Sequence, residues 1–125
     1  MNLTDEGTVL GTDMSPEQTR GEILDSRSDI FSLGCVLYEA ATRSLPFTGP
    51  SMLAVMHGIA TIDPTSPGLI RPELPREFDL IVERALAKDK ERRYSAVSEM
   101  GVALRSLRAS LSGSGLDFSS FLTKT

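Results

Sequence analysis

The sequence predicts an all-α fold of about four helices without a sheet. A helix-length segment that starts at Ser28 is apolar nearly all round, which is typical of a helix buried on most of its faces. In three later segments the apolar residues recur with the period of an amphipathic helix. No segment shows the strict alternation expected of a half-buried strand.

Length and composition limit the class of protein. A chain of 125 residues fits one small domain. The net charge of −4 provides no general attraction to nucleic acid or to anionic membranes, so neither is expected as a partner. Cys35 is the only cysteine, which excludes an internal disulfide and argues against a cysteine-based zinc site. The polar N-terminus and the lack of a long apolar run predict a cytoplasmic protein.

Local signals place the helices along the chain. Residues 1–22 have little periodicity and are expected to form an irregular loop. The first helix follows with Asp29 as a candidate N-cap, and a turn over residues 43–50 ends it. The next three helices are predicted from these apolar stripes: Met52, Val55, Met56 and Ile59; Phe78, Ile81, Val82, Ala85 and Leu86; Val97, Met100, Leu104, Leu107 and Leu111.

The connections carry their own signals. Residues 61–76 contain four prolines and are expected to be extended and irregular. The segment from Lys88 to Arg93 alternates in charge, so apart from Arg93 it is expected to be a solvated turn. Ser95 is a candidate N-cap for the last helix. The Ser-Gly repeat at residues 112–115 predicts a flexible tail over residues 112–125, which leaves residues 1–111 as the domain.

Five short motifs follow one another along the chain. They are Gly11-Thr12, Met14-Ser15-Pro16-Glu17-Gln18, the run from Ser28 to Gly34, Leu45-Pro46-Phe47, and Lys88-Asp89 with the run from Arg92 to Ala96. Motifs similar to these occur in the same order in the protein kinase family, and the second resembles the bacterial serine/threonine form of the family's A-P-E motif. The chain therefore resembles the C-terminal lobe of a bacterial-type serine/threonine protein kinase, beginning within the activation segment and covering nearly all of residues 4–111.

The resemblance implies roles for the residues of the first motifs. Gly11 and Thr12 correspond to the substrate-positioning loop, where the threonine hydroxyl reaches the catalytic aspartate of an intact kinase. Glu17 and Arg93 correspond to a buried ion pair that ties this loop to the base of the lobe. We expect that pair to be partly buried here.

Other matched positions are structural or regulatory. Asp29 corresponds to an aspartate that hydrogen-bonds backbone amides of the catalytic loop, and Pro16 and Gly34 are structural positions of their motifs. Thr4 and Thr8 lie where kinases of this type carry activation-loop phosphorylation sites. A flexible acidic tail with two unmodified threonines is the simpler interpretation of that segment, because a phosphate there needs a basic pocket.

Simpler interpretations also apply to several other side chains. In the simpler interpretation of Asp29, this residue serves only as an N-cap. In the simpler interpretation of Glu17 and Arg93, they are two separate surface charges. His57 has no partner in the pattern and is expected to be a surface or packing residue. Cys35 is most simply a small buried hydrophobic residue. No metal site is predicted.

The family's phosphoryl-transfer motifs do not occur in these 125 residues. A glycine-rich loop, its lysine, H-R-D and D-F-G together hold ATP and magnesium in the family, so no cofactor is expected in this chain by itself. The loop between Thr12 and Met14 is also about two residues shorter than the family pattern, which is expected to disturb its peptide-binding register.

These observations predict a fragment of a serine/threonine protein kinase without catalytic activity of its own. In the family, an earlier helix and the catalytic loop cover one side of the central helix, so that side is expected to be exposed over a few hundred Å². A complementary kinase lobe or another protein is the expected partner, and self-association is the alternative. Two further alternatives are a non-catalytic helical interaction module and a gene remnant without function.

Overall fold

All regular structure in the described part of the chain is helical. The computed structural model describes residues 12–113. Within this range the predicted all-α fold is confirmed, and the four predicted helices correspond to α2, α3, α5 and α6. Two one-turn helices and a 3₁₀ turn are additional. The bounds are α1 Pro16–Thr19, α2 Ser26–Thr42, α3 Met52–Thr61, α4 Pro67–Ile70, α5 Arg76–Ala85, the 3₁₀ turn Lys90–Arg92, and α6 Val97–Gly113.

The central helix, α2, begins earlier than its apolar run suggests. Asp25 is the N-cap, and its side chain accepts a hydrogen bond from the Arg27 N–H at 2.8 Å. Asp29 lies in the first turn of the helix and is exposed, so the prediction that it caps α2 is wrong. The physical reason is that the residues of the first turn are polar, which hides the true start from an analysis of apolar residues.

Helix α1 falls within a segment expected to be an irregular loop, and for these residues that prediction is wrong. Ser15 accepts a hydrogen bond from the Gln18 N–H, while the Gln18 side chain accepts one from the Ser15 N–H. Pro16 occupies the first helical position, where its lack of an N–H has no cost. This capping box stabilises a single turn that positions the following glutamate.

Helix α4 also interrupts a connection that was expected to be irregular. Pro67 is its first residue, and the Gly68 N–H donates to Asp79 Oδ1 of α5 at 2.9 Å. The Ser66 hydroxyl donates to Glu83 of the same helix at 3.1 Å. Prolines therefore bound this short helix rather than prevent it.

The last helix differs from expectation at both ends. Since α6 begins at Val97, Ala96 directly precedes it, and the Ala96 carbonyl accepts from the N–H groups of Glu99 and Met100. Ser95 lies one residue too early to be the cap. At the other end the helix continues through Gly113, into the segment predicted to be a linker. Residues 114–125 of the predicted tail lie outside the described residues.

The core forms around α2, which contacts α4, α5 and α6. Its buried side chains include Ile30, Phe31 and Cys35. One stripe of α2 is less covered: Val36 is 48% exposed, and Leu33 and Leu37 are only partly buried. No helix among residues 12–113 is long and apolar enough to cross a membrane.

Candidate functional site

The motif segments converge on a buried ion pair. Glu17 on α1 and Arg93, which follows the 3₁₀ turn, are 76 residues apart in sequence and form two parallel hydrogen bonds. The distances are 2.7 Å from Nη1 to Oε2 and 2.8 Å from Nη2 to Oε1. The side chains are 2% and 0% exposed. The predicted ion pair is therefore present, and it is completely rather than partly buried.

Every N–H group of the Arg93 guanidinium has a partner. Besides the carboxylate, Nη1 donates to the Arg27 carbonyl at 2.9 Å and Nε donates to the Ala87 carbonyl at 2.8 Å. Nη2 also donates to the Lys88 carbonyl at 3.3 Å. One side chain thus joins α1, the start of α2 and the end of α5, and only arginine has the five fixed donors to do so.

The Glu17 carboxylate is equally well satisfied. The Ser28 hydroxyl donates to its Oε2 atom at 2.7 Å. Burial alone would raise the pKa of this carboxyl, but the hydrogen bonds from Arg93 and Ser28 outweigh burial and lower the pKa to about 2. Glu17 is therefore ionised at neutral pH, and its chemistry is that of a structural anion rather than of a proton donor.

The loop before α1 is attached to the central helix. The Ser32 hydroxyl of α2 donates to the Asp13 carbonyl at 2.7 Å, and the Met14 N–H donates to the Thr12 hydroxyl at 3.3 Å. Thr12 is partly buried at this point. Its role in substrate positioning stays a prediction. Gly11, Thr4 and Thr8 lie outside the described residues.

Gly34 of α2 lies in close contact with the end of α5. A Cβ atom at this position would lie 2.9 Å from the Ala85 Cβ and 3.0 Å from the Leu86 Cδ2. Glycine is therefore required by the distance between the two helices and not by its backbone conformation. Pro16, the neighbour of Glu17, is completely buried as the first residue of α1.

An aromatic stack runs from the ion pair to a second cation. The guanidinium carbon of Arg93 lies 5.0 Å from the Phe31 ring centre, and the rings of Phe31 and Phe47 stack with centroids 5.8 Å apart. Lys88 Nζ in turn lies 4.2 Å from the Phe47 ring centre. Lys88 is half-buried, so the prediction of a solvated turn is wrong for this residue, because the apolar ring covers its side chain.

The remaining candidate side chains have no catalytic arrangement. His57 is exposed on α3, and Cys35 is buried on α2. Burial raises the pKa of the Cys35 thiol to about 12, which makes it unreactive at neutral pH. No group of histidine, cysteine and acidic residues within residues 12–113 is arranged to hold a metal ion.

Sequence reasoning missed three contributors to the site. Asp25 and the Ser15–Gln18 capping box carry signals that can be read from the sequence, since Asp25 precedes the polar turn of α2 and S-x-x-Q is a capping pattern. Ser28 has no such signal. Its hydroxyl reaches Glu17 only because α1 folds back against the start of α2.

Comparisons with known proteins identify the family. The model of the protein kinase domain matches residues 6–102, and the chain therefore belongs to the protein kinase family. The match includes both members of the buried ion pair and all of helices α1 to α5.

The similar proteins are bacterial serine/threonine kinases. The probable serine/threonine-protein kinase SCO3848 of Streptomyces coelicolor is 43% identical over 104 residues, which is 82% of this chain and 16% of the relative. The serine/threonine-protein kinase PknB of Mycolicibacterium smegmatis is 44% identical over 101 residues, again 16% of its length. A probable PknB of Bifidobacterium longum is 44% identical over 99 residues. The chain spans about 16% of the length of the first of these relatives.

Proposed function

We propose that this chain forms the helical, substrate-side part of a serine/threonine protein kinase domain. The observation that carries the proposal is the completely buried Glu17–Arg93 pair, which fixes α1 in place, while the Ser32–Asp13 hydrogen bond attaches the loop before α1 to α2. In this arrangement the loop containing Thr12 is held against a rigid helix, as a peptide-positioning segment requires. Phosphorylation of protein serine or threonine by ATP and magnesium is the activity to which such a part contributes.

The 125 residues do not supply the chemistry of that reaction. Phosphoryl transfer depends on groups that grip the phosphates, hold magnesium and orient the acceptor hydroxyl. Glu17, the buried acidic residue of this site, is fully occupied by Arg93 and Ser28. We therefore propose that the chain by itself is catalytically inactive, and that the phosphate-gripping and metal-holding parts come from other polypeptide segments.

The direct test measures nucleotide binding by the isolated chain. Calorimetric titration with ATP and magnesium should give no saturable heat at micromolar concentrations, and a generic protein acceptor should remain unphosphorylated. The helical circular dichroism of the same sample shows that the chain is folded, and an intact kinase domain of the family serves as the positive control. Magnesium-dependent saturation by the folded chain would contradict the proposal.

A second candidate function, an interaction module, is favoured by the exposed stripe on α2. Val36 is 48% exposed on the central helix, next to the partly buried Leu33 and Leu37. An exposed apolar side chain beside two partly buried ones supports a docking surface on this helix face. The proposed occupant is a polypeptide that carries the remaining kinase elements, since these cover the corresponding face in the family.

Without its partner, the exposed stripe on α2 is expected to cause self-association of the chain. We expect hydrophobic-dye binding and concentration-dependent self-association in sedimentation experiments, and both should decrease in Val36→Asp. The matched control is Leu80→Asp, because Leu80 is 49% exposed but lies on α5. A monodisperse wild-type chain with a sharp thermal transition and no dye binding would contradict the expectation.

A further inference from the structure

Lys88 lies between two depressions on the surface of the helical unit. The larger is a cavity of about 570 Å³, bounded by Tyr38 of α2, Pro67 of α4, and Leu86 and Lys88 at the end of α5. Its volume lies within the range of small-ligand pockets. The smaller, about 380 Å³, is lined by Lys88 together with Arg20. The lysine side chain is therefore reachable from solvent although it is half-buried.

The contacts of Lys88 are unusual for a lysine. Its Nζ atom donates to the Gly58 carbonyl of α3 at 3.3 Å and lies above the Phe47 ring. No carboxylate in the described part of the chain is within ion-pair distance of it. Lys90, two residues later, provides the contrast, since its Nζ atom is 3.7 Å from the Asp25 carboxylate.

Burial makes the Lys88 amine easier to deprotonate than the amine of an exposed lysine. Burial lowers the pKa of Lys88 to about 8; the charges of Asp63 and Cys35 oppose this shift only in part, and Arg93 adds to it. A larger share of this amine is therefore unprotonated near neutral pH than of an ordinary exposed lysine. Other charged residues line the two cavities: Glu83, Asp89 and Arg92 in the larger, and Glu17, Arg20, Glu22, Asp89 and Lys90 in the smaller.

We propose that Lys88 is a site of covalent acylation by a small acyl donor, a thioester or an acyl phosphate, that enters the 570 Å³ cavity. The unprotonated Nζ attacks the carbonyl carbon of the donor, and a C–N bond forms. The C–S or C–O bond to the leaving group breaks, and the leaving thiolate or phosphate carries away the bonding electron pair. One amine proton passes to water or to the leaving group, which leaves a neutral amide.

The modification would alter the packing around the ion pair. An amide has no positive charge, so it loses the cation–π contact with Phe47 and weakens the bond to Gly58 on α3. The Lys88 backbone carbonyl accepts a hydrogen bond from Arg93. A movement of the Lys88 backbone would therefore change a contact of the Glu17–Arg93 pair directly. The proposal does not depend on the kinase assignment, since it rests on the cavity and on the contacts of one amine.

The test compares Lys88 with Lys90 in the same molecule. The 125-residue chain is incubated with acetyl phosphate and, separately, with acetyl-coenzyme A, from pH 6 to pH 10. Peptide mass spectrometry then gives the initial acetylation rate at each lysine. Below pH 8 we expect Lys88 to react on the order of tenfold faster than Lys90, with a rate that levels off above a midpoint near pH 8.

Two controls decide the result. In urea the two rates should become equal, which shows that the fold causes the difference. In Lys90→Arg the rate at Lys88 should be unchanged. Equal rates in the native chain, or a rate at Lys88 that continues to rise through pH 10, would overturn the proposal. Acetyl phosphate contains no nucleotide, so the outcome with that probe is independent of the ATP-binding test.

Discussion

Arg93→Ala and Glu17→Ala are each expected to destabilise the fold by about 3–5 kcal/mol, because each leaves the other charge buried and unpaired. The carboxylate would keep only neutral donors such as the Ser28 hydroxyl, and the guanidinium would keep only backbone carbonyls. Such a loss is comparable with the whole stability of a small domain. Urea unfolding followed by circular dichroism measures it.

The double-mutant cycle isolates the pair itself. Glu17→Ala/Arg93→Ala should be scarcely less stable than either single variant, since no lone charge remains. Arg93→Lys should recover little, because one ammonium cannot reproduce two parallel bonds to the carboxylate and three bonds to carbonyls. Ser28→Ala is the milder control, with an expected cost of about 1–3 kcal/mol. Strictly additive losses from Glu17→Ala and Arg93→Ala would show that the two residues are not coupled.

The pair also determines part of the acid sensitivity. The Glu17 pKa is lowered from 4.5 to about 2 by folding, so the unfolded chain takes up a proton at a higher pH than the folded one. Its contribution, about 3 kcal/mol, is therefore complete above about pH 4.5 and is lost as the pH falls toward 2. The Asp25 pKa is lowered to a similar value by Arg27. The Glu17 share is measured as the difference between the wild type and Glu17→Ala/Arg93→Ala over this range.

The sequence predicted the long helices because their packing follows a period. The stripes of α3 and α5 mark the residues that face the core, and Val55, Ile59, Phe78 and Val82 are buried as expected. The ion pair was also predictable, but only through the motif resemblance, since two charges so far apart in sequence have no local signal. The roles of Thr12 and Asp29 in an intact kinase stay predictions, as does the flexible tail beyond Gly113.

Other features could not be predicted because they depend on tertiary contacts. Lys88 resembles any lysine in a charged turn, and only the fold brings Phe47 and Gly58 to its amine. Likewise, α4 depends on Asp79 of another helix, whose carboxylate accepts from the Gly68 N–H. Helix propensity and proline content depend only on neighbouring residues, whereas these contacts are made by residues that are distant in sequence.

Gly34→Ala is expected to destabilise the fold by about 1–3 kcal/mol, because the new methyl group overpacks the contact between α2 and α5. It would lie 2.9 Å from the Ala85 Cβ and 3.0 Å from the Leu86 Cδ2, so one helix must move away. Gly58→Ala on α3 is the matched control, since nothing lies within 4 Å of the added methyl group. There the same substitution should stabilise the fold by about 0.5–1 kcal/mol through helix propensity alone.

The opposite signs of these two substitutions separate steric crowding from backbone preference. If crowding is the cause, Ala85→Gly should restore part of the stability of Gly34→Ala by removing the nearest atom, although Ala85→Gly by itself costs about 1 kcal/mol in a helix. The coupling in that cycle is expected to be favourable, and thermal and urea unfolding of the four proteins measure it. Additive effects, or a stabilising Gly34→Ala, would show that α2 and α5 are farther apart than the structure places them. The central helix would then have room on the α5 side as well as on the side of Val36.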